Sequence, residues 1–203
     1  MSSLALWSVI NIVALIAGVL VAEGADGPTG VQVPFLTLEH DDGSVSLELH
    51  VARTNPIHEV IGESCRVLLI CQGPDAYISP DWYGVADQVP TWNYVAVHLS
   101  GTLELRPQEE LLDLLDRQSA WFEDRLLPKP PWTTAKMNPL TMQKMMRMIV
   151  PCRMRITGVD GTWKLSQNKP DAVRLAAADG VEAHGFGAGT GTLARQMRAA
   201  KGA

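Results

Sequence analysis

Cysteine is scarce in this chain of 203 residues, which contains three cysteines and no Cys-x-x-Cys pair. Three thiols cannot all pair in disulfides, so the sequence favours a reducing compartment, the cytoplasm, and offers no cysteine framework for a metal. The five histidines are scattered without the HxH or HExxH spacing of zinc sites. No Gly-x-Ser-x-Gly motif occurs, so a serine hydrolase is not indicated.

Positive charge is missing from the first 52 residues, which carry six acidic side chains and no Lys or Arg. The whole chain has a net charge of −5, so it is not an obvious nucleic-acid binder. Residues 136–174, however, hold eight basic side chains against Asp160 and Asp171. This local excess invites a phosphate ligand or an acidic partner, and it is the one candidate surface for DNA.

The longest hydrophobic run, Leu4–Ala22, has two interpretations. It is long enough for a membrane span or a signal peptide, but both normally have basic flanks, and the first basic residue is Arg53. The other interpretation is a short helix over Leu4–Asn11 followed by a buried strand over Ile12–Ala22. We prefer the second interpretation and expect no membrane association.

Hydrophobic residues make up 46% of the chain and charged residues 19%, which is typical of a globular domain. Hydrophobic alternation predicts an antiparallel meander, with turn signals at Asp42-Gly43 and Asp160-Gly161. The predicted strands are Ile12–Ala22, Val31–Leu38, Val45–Val51, Arg66–Gln72, Trp92–Leu105 and a hairpin of Arg153–Thr157 with Thr162–Leu165. The predicted fold class is mainly β with helices (α+β), a small antiparallel β-barrel with peripheral helices.

One helical turn is predicted over Pro56–Gly62, and longer helices from Pro107 through Arg125 and over Thr141–Ile149. The second carries a methionine stripe, for which helical spacing favours core packing over a heme or copper site. The glycine-rich run Gly185–Gly191 lacks the βαβ context of a phosphate cradle and predicts a linker before a short helix at Leu193–Arg198. We therefore predict a main domain over residues 1–175 and a glycine-rich tail with a short helix over residues 176–203.

Three polar segments stand out from this framework, and each also has an ordinary structural explanation. His50–Pro56 offers Arg and Asn donors to an anion, or a solvated turn. Gly73–Tyr94 places aromatic rings in an irregular loop, which suits a planar ligand or a plug over a barrel end. Lys164–Asn168 is a polar strand end that is either functional or simply solvated.

Taken in order, these motifs resemble the PaiB-type family of FMN-binding negative transcriptional regulators. The matching blocks are Ala52-Arg53 with Asn55-Pro56, Gln72-Gly73-Pro74 with Ala76–Pro80 and Trp82-Tyr83, Pro90–Tyr94 with Val97-His98, and Lys164–Asn168. The family is similar to the pyridoxamine-phosphate-oxidase-like split barrels, which are homodimers with flavin at the subunit interface. Two blocks depart from the family pattern, since Gln32-Val33-Pro34 lacks a histidine and Leu49 stands where a glycine is usual.

The resemblance implies a cytoplasmic homodimer, an FMN cofactor and a set of site residues. By this resemblance His50, Arg53 and Asn55 lie near the FMN phosphate, and Trp92, Asn93 and Tyr94 near the ring. Lys164, Ser166 and Gln167 would approach from the second subunit. The implied role is negative transcriptional regulation, with DNA as a further partner. A flavin-dependent oxidoreductase and a heme-handling split barrel are the alternatives.

Overall fold

A computed structural model describes residues 17–201 of the chain. Its sheet contains seven strands in the order β2-β1-β5-β6-β7-β4-β3. The strands are β1 (Ala17–Gly24), β2 (Gly27–Pro34), β3 (Leu36–Glu39), β4 (Val45–Ala52), β5 (Ser64–Ile78), β6 (Thr91–Leu105) and β7 (Ile149–Lys164). The helices of this part of the chain are α1 (Pro56–Ile61), α2 (Leu111–Glu123), α3 (Pro139–Met146), α4 (Asp171–His184) and α5 (Thr190–Ala199). The predicted antiparallel α+β class is confirmed.

The described residues divide into two compact units. The first unit contains residues 17–70 and 98–159, and the second unit contains residues 71–97 and 160–201. Strands β5, β6 and β7 each have one end in the first unit and the other in the second, which explains why they are the longest strands, at 15, 15 and 16 residues.

Each unit buries its own apolar side chains, and this burial is the main favourable term in folding. The largest fully buried residues of the first unit are leucines, isoleucines and one methionine of the strands and of α1 and α2: Leu20, Leu47, Leu49, Ile57, Ile61, Leu69, Leu99, Leu103, Leu111 and Met154. The second unit packs α4 and α5 around a cluster of smaller side chains: Ala76, Ile78, Tyr83, Val95, Leu165, Ala177, Ala178, Val181, Leu193, Ala194 and Met197.

Several local predictions are confirmed. The turn at Asp42-Gly43 joins β3 to β4, with Gly43 at φ 76° and its N–H bonded to the carbonyl of His40. The predicted turn of helix after Asn55 is α1, which begins at Pro56 and is capped by the Asn55 side chain. The predicted helix over Leu4–Asn11 lies outside the described residues, and β1 covers the end of the strand predicted after it.

Other local predictions are wrong. The hairpin around Asp160-Gly161 is instead part of the continuous strand β7, because Gly161 makes room for the indole of Trp163 on the same face rather than forming a turn. The loop predicted from Gly73 onward is strand as far as Ile78. The methionine stripe does not pack into a core, since no residue of α3 is buried. Helix α4 has no counterpart among the predicted elements.

Candidate functional site

A polar cavity of about 200 Å³ lies in the second unit. Its wall comes from the start of β6 and from the end of β7 with the turn that follows. The lining residues are Tyr83, Val89, Thr91, Asn93, Lys164, Ser166, Gln167, Asn168 and Lys169. Four residues that the sequence predicted as site residues, Asn93, Lys164, Ser166 and Gln167, are therefore brought together within one chain.

Asn93 is completely buried, and one end of its amide is bonded. Its Nδ2 donates to Ser166 Oγ at 2.9 Å and, more weakly, to the Met197 sulfur at 3.6 Å. Its Oδ1 has no hydrogen-bond partner among residues 17–201. Buried polar atoms are nearly always hydrogen-bonded in folded proteins, so an acceptor without a partner beside a cavity indicates a place for a ligand donor.

Ser166 joins Asn93 to the aromatic wall. Its hydroxyl lies 3.2 Å from the Tyr83 hydroxyl, and its backbone has φ 61°, a left-handed conformation that is uncommon for serine. The Gln167 side chain holds this turn, because it accepts from the N–H of Leu165 at 2.8 Å and donates to the carbonyl of Trp163 at 2.6 Å. Backbone strain of this kind clusters at functional sites, where the surrounding contacts hold it in place.

Two lysines bring positive charge to the cavity. Lys164 Nζ donates to Thr91 Oγ1 at 2.7 Å, and Lys169 Nζ donates to Gln88 Oε1 at 2.5 Å. Lys169 also lies 5.3 Å from the centre of the Tyr83 ring. Both acceptors are neutral, and neither lysine forms an ion pair with a carboxylate of the described residues. The cavity therefore has an uncompensated positive charge.

The pleat of β6 separates the predicted ring residues. Asn93 is buried, whereas Trp92 and Tyr94 alternate with it and are exposed and half-buried. Successive side chains of a strand point to opposite faces, so Trp92 and Tyr94 share one face and Asn93 lies on the other. The Trp92 ring meets the exposed ring of Phe186 edge-on, with centroids 6.1 Å apart.

The predicted phosphate residues lie in the first unit, where β4 ends. Arg53 donates through Nε to the carbonyl of Arg147 at 2.9 Å and through Nη2 to Gln108 Oε1 at 2.8 Å. Asn55 Oδ1 accepts from the N–H of Ile57 at 3.0 Å and caps α1. Asn55 therefore has a structural role of its own, whereas Arg53 is held in one orientation by neutral acceptors.

His50 lies on β4 opposite Pro151 of β7. Its Nδ1 is buried without a hydrogen-bond partner among the described residues. Burial lowers the pKa of the imidazole below its usual value, because desolvation penalises the charged form. At pH 7 the imidazole of His50 is therefore neutral and supplies no positive charge to a phosphate.

An apolar cavity of about 410 Å³ also lies in the first unit. Five methionines of α3 and of the segments around it are the largest group in its wall. The lining residues are Ala52, Thr54, Leu115, Ser119, Trp132, Thr134, Met137, Met142, Met145, Met146, Met148 and Ile149. Ala52 and Thr54 are the immediate chain neighbours of Arg53. The methionine stripe was visible in the sequence, but its role as a cavity wall was missed because spacing alone does not show whether a second element covers a helix.

Ion pairs around the buried carboxylate of Glu48 form a cluster, also in the first unit. Glu48 is 6% exposed and pairs with Arg153 at 2.7 Å and with Arg117 at 2.8 Å. Glu110 pairs with Arg106 at 2.7 Å, and this hydrogen-bonded partner lowers the pKa of the Glu110 carboxyl. The sequence contained no signal for this cluster, since Glu48 and Arg153 meet only because β4 pairs with β7.

Two further classes of site are absent from the described part of the chain. Residues 17–201 contain no group of three or more His, Cys, Asp or Glu side chains placed to hold a metal ion. Over the same residues, no helix has the length and apolar character needed to cross a membrane.

Comparison with known proteins gives a family match over residues 7–158, to the model described as "Putative FMN-binding domain". The "Protease synthase and sporulation protein PAI 2" of Bacillus subtilis is 31% identical over 153 residues, which cover 75% of this chain and 72% of that protein. The chain belongs to this FMN-binding family.

Two other relatives extend the comparison. The uncharacterized protein YKL070W of Saccharomyces cerevisiae is 36% identical over 80 residues, 37% of this chain and 47% of that protein. The FAD and heme binding protein from Mycobacterium smegmatis has a similar fold, with a TM-score of 0.52 and 13% identity over 90% of this chain and 78% of that one. The predicted family, split-barrel fold class and FMN cofactor are therefore confirmed.

The residues of the first unit fit the chemistry of FMN. Ligand pockets usually enclose about 300–1,000 Å³ and are mostly apolar with a few polar groups. The cavity of about 410 Å³ is within this range. Arg53 is not one of its lining residues but lies between two of them, Ala52 and Thr54, in the chain, and its guanidinium is a planar donor that suits a phosphate. The cavity of about 200 Å³ in the second unit is below the range.

Proposed function

We propose that this protein binds FMN through its first unit, with the phosphate on Arg53 and the ring in the methionine-lined cavity. The observation that carries the proposal is the position of Arg53 between two residues of the cavity wall, Ala52 and Thr54. A ligand that fills the cavity would have its polar end close to the chain segment that carries the guanidinium. FMN has this division, because a flat ring system and a phosphate lie at its two ends.

The electrostatics of the first unit support the same orientation. Residues 125–159, which form most of the cavity wall, contain seven basic side chains and no Asp or Glu, and only Lys129 and Arg153 of the seven pair with a carboxylate, those of Glu123 and Glu48. A phosphate group carries up to two negative charges near neutral pH and is attracted by such a field. Isoalloxazine, in turn, can stack on the flat ring of tryptophan, and the flexible side chains of methionine adapt to an aromatic surface.

Arg53 is prepared for a phosphate before any ligand arrives. Its two hydrogen bonds, to the carbonyl of Arg147 and the amide oxygen of Gln108, fix the plane of the guanidinium. Because both acceptors are neutral, the positive charge of Arg53 is not cancelled. Preorganised donors lose little conformational entropy on binding, so each contact to phosphate contributes more to affinity.

Arg53→Ala should weaken FMN binding about tenfold, because a hydrogen bond to a charged group typically contributes about 1.5–3 kcal/mol. Riboflavin lacks the phosphate, and its affinity should hardly change. Titration of both flavins by fluorescence quenching measures the difference.

Arg53→Lys separates charge from the planar fork, and we expect intermediate FMN affinity. Arg155→Ala is the matched control, since Arg155 is exposed in the same acid-free segment but is not a cavity residue. Equal losses for FMN and riboflavin would assign Arg53 a structural role, and an unchanged FMN affinity would remove it from the site.

Trp92 and Tyr94 remain proposed ring contacts on the strength of the resemblance alone. Their shared face of β6 is open enough for stacking, since Trp92 is 37% exposed. Trp92→Leu should then weaken FMN and riboflavin equally, because both contain the ring. Unchanged affinity for both flavins would show that Trp92 does not contact the ring, and the methionine-lined cavity would remain as the ring site.

We propose that the protein acts as a homodimer. Large apolar side chains of the first unit are exposed to solvent: Leu126, Leu127, Leu140, Met145 and Met148. Exposed apolar patches mark interaction surfaces, and an obligate homodimer buries more than about 2,000 Å² in total. Light scattering of the full chain at micromolar concentration should give twice the mass of 22.1 kDa. A monomeric mass would contradict the proposal. If the wild type is a dimer, the variant Met148→Glu should have a larger fraction of monomer.

The finer proposal is a cytoplasmic regulator that binds DNA. Of the eight bases in residues 136–174, four are exposed without an ion pair or cavity contact: Lys136, Lys144, Arg147 and Arg155. Charge reversal at Lys144 and Arg147 together should weaken binding to all DNA sequences alike and reduce its salt dependence. No mobility shift at low salt would contradict the regulatory role.

A further inference from the structure

A proline-rich segment of the first unit, Leu127–Trp132, follows α2 and borders the methionine-lined cavity. This segment, the strap, has the sequence Leu-Pro-Lys-Pro-Pro-Trp, and all its residues before Trp132 are exposed. Proline has a fixed φ and no N–H, so the strap is stiff and has few donors of its own. Its last residue, Trp132, lines the cavity. The position of the strap therefore decides where this part of the cavity wall lies.

A single carboxylate, that of Glu123, ties the end of the strap back to α2. Its Oε2 accepts from Nζ of Lys129 and from the backbone N–H of Trp132, the latter at 2.7 Å. These two hydrogen bonds lower the pKa of the Glu123 carboxyl, because both favour its charged form. A hydrogen bond to a carboxylate is roughly twice as strong as one between neutral groups. The contact from Glu123 to Trp132 is therefore a strong one.

Helix α2 places Glu123 at the edge of the cavity. Leu115 and Ser119 line the cavity, and Glu123 follows them at the same spacing of four residues. Residues four apart lie on the same face of a helix. The face of α2 that contributes to the wall thus carries the Glu123 carboxylate one turn further on. Glu123 is not itself a lining residue, so it reaches the cavity through Trp132.

One other side chain binds the end of the strap without replacing this contact. Lys136 Nζ donates to the carbonyl of Pro131 at 2.8 Å. Lys136 is exposed and follows the strap in the chain, so its bond does not connect the strap to α2. The Glu123 carboxylate therefore sets the distance between Trp132 and α2.

We propose that Glu123 is a positioning residue, which holds the strap so that the Trp132 indole forms one wall of the site for the flavin ring. The inference rests on the proposed FMN site in the same cavity. Indole offers a flat aromatic surface that packs against a planar ring system. The strap acts on the ring of the flavin and not on its phosphate.

Glu123→Ala should weaken the binding of FMN and riboflavin equally, because both contain the ring. We expect about a fivefold loss, since the hydrogen bonds removed are charge-assisted but near solvent. Fluorescence quenching of both flavins by the full chain measures it. Glu123→Gln should keep most of the affinity, because its amide oxygen still accepts from the Trp132 N–H. Asp116→Ala is the matched control, since Asp116 is an exposed carboxylate of α2 without an ion pair in the described part of the chain.

A double-mutant cycle separates positioning from a general loss of stability. Trp132→Leu should weaken both flavins, because it removes the indole from the wall. Adding Glu123→Ala to Trp132→Leu should cause no further loss, since Glu123 acts through Trp132. A further loss as large as that of Glu123→Ala alone would overturn the proposal.

Amide hydrogen exchange tests the contact without any flavin. In the flavin-free full chain, the Trp132 amide should exchange at least about tenfold faster in Glu123→Ala than in the wild type, because its acceptor is gone. Asp116→Ala should leave this rate unchanged. A wild type that binds neither flavin would contradict the proposed function, and the exchange rate would still decide whether Glu123 holds the strap.

Three further results would overturn the inference. Equal exchange rates of the Trp132 amide in the wild type and Glu123→Ala would show that the carboxylate does not hold the strap. Unchanged affinity of Glu123→Ala for both flavins, in a protein that binds them, would show that the strap does not position the ring. A loss confined to FMN would show that Glu123 acts on the phosphate instead.

Discussion

The methionine-lined cavity and the cavity of the second unit differ in the chemistry of their walls. The wall of the first-unit cavity is mostly thioether, indole and aliphatic carbon, whereas the second-unit cavity is lined by ammonium, amide and hydroxyl groups together with Val89 and the Tyr83 ring. Apolar packing is non-directional and tolerates small shifts, and methionine adapts to irregular shapes. Hydrogen bonds depend steeply on distance and angle, so the polar groups of the second cavity constrain the geometry of a ligand more closely than the methionines of the first.

The difference extends to how each unit holds its charges. In the first unit the carboxylate of Glu48 is buried, and it pairs with Arg117 and Arg153, whose side chains are 42% and 28% exposed. In the second unit Arg198 bridges Asp179 and Glu182 on the surface of the two helices. Because Glu48 is buried, losing a member of the first cluster should lower the free energy of unfolding. The second cluster is exposed to solvent, so losing a member of it should change the free energy of unfolding little.

Glu48→Ala should give the largest loss of stability. It would leave Arg153 and Arg117 without the carboxylate that balances them, and breaking a buried pair typically costs about 3–5 kcal/mol. Because Arg117 is partly exposed, we expect about 3 kcal/mol in the free energy of unfolding, measured by urea denaturation. Arg198→Ala should give no measurable loss. Comparable losses for both variants would abolish the contrast between the units.

Gly101→Ala in β6 should come next. A Cβ at Gly101 would overlap the backbone carbonyl of Arg155 in β7, and a paired strand cannot move aside cheaply. Overpacking of this kind typically costs about 1–3 kcal/mol. Gly180→Ala in α4 should cost somewhat less, because alanine favours helix and so offsets part of the overlap of its Cβ with Cβ and Cγ of Trp82. Thermal denaturation of both variants tests the order.

The pH dependence of stability should report on His50. Burial lowers the pKa of its imidazole in the folded protein below the unfolded value of about 6.5. The unfolded chain therefore binds more protons as the pH falls below about 6.5, and the contribution of the neutral ring to stability is lost on acidification. His50→Gln should flatten the stability profile between pH 7 and 5. A profile identical to wild type would show that the imidazole is not desolvated.

The three thiols give the smallest effect and test whether the units open separately. Burial raises the pKa of Cys71 and of Cys152 to about 12, and Cys65 is half-buried with a smaller rise in its pKa. Cys65 should react first with a thiol reagent at pH 8. At intermediate urea, Cys152 reports on the first unit and Cys71 on the second. Simultaneous exposure of both would show that the units unfold together.

Local patterns were enough for much of the fold and for part of the site. Hydrophobic alternation predicted a strand over Trp92–Leu105, and the observed strand is Thr91–Leu105. A helical turn was predicted to begin after Asn55, at Pro56, and α1 begins there. The same reasoning failed at Asp160-Gly161, where a strong turn signal lies inside a strand because Trp163 packs over the glycine. It also missed α4, where Gly180 weakens the helical pattern and only contact with Trp82 explains the glycine.

The glycine-rich run at residues 185–191 shows how contacts change the meaning of a sequence. Composition predicts a flexible linker, yet in the second unit Asp75 exchanges hydrogen bonds with Ala188 through its N–H and its side chain, and Tyr77 donates to the carbonyl of Phe186. Gly187 must be glycine there, since its φ is 152° and a Cβ would overlap Asp75. The glycines of this run therefore allow two backbone segments to pack closely, rather than forming a linker.

By itself the sequence determined the family, the α+β class and FMN as the cofactor, because motifs and hydrophobic periodicity are properties of neighbouring residues. Which side chains share a cavity was decided only by the tertiary structure. Asn93 and Ser166 are 73 positions apart and meet at 2.9 Å, and Glu48 and Arg153 are 105 apart and meet at 2.7 Å. Strand pairing sets such distances, and pairing depends on how all the strands bury their apolar faces together. No local pattern encodes that choice.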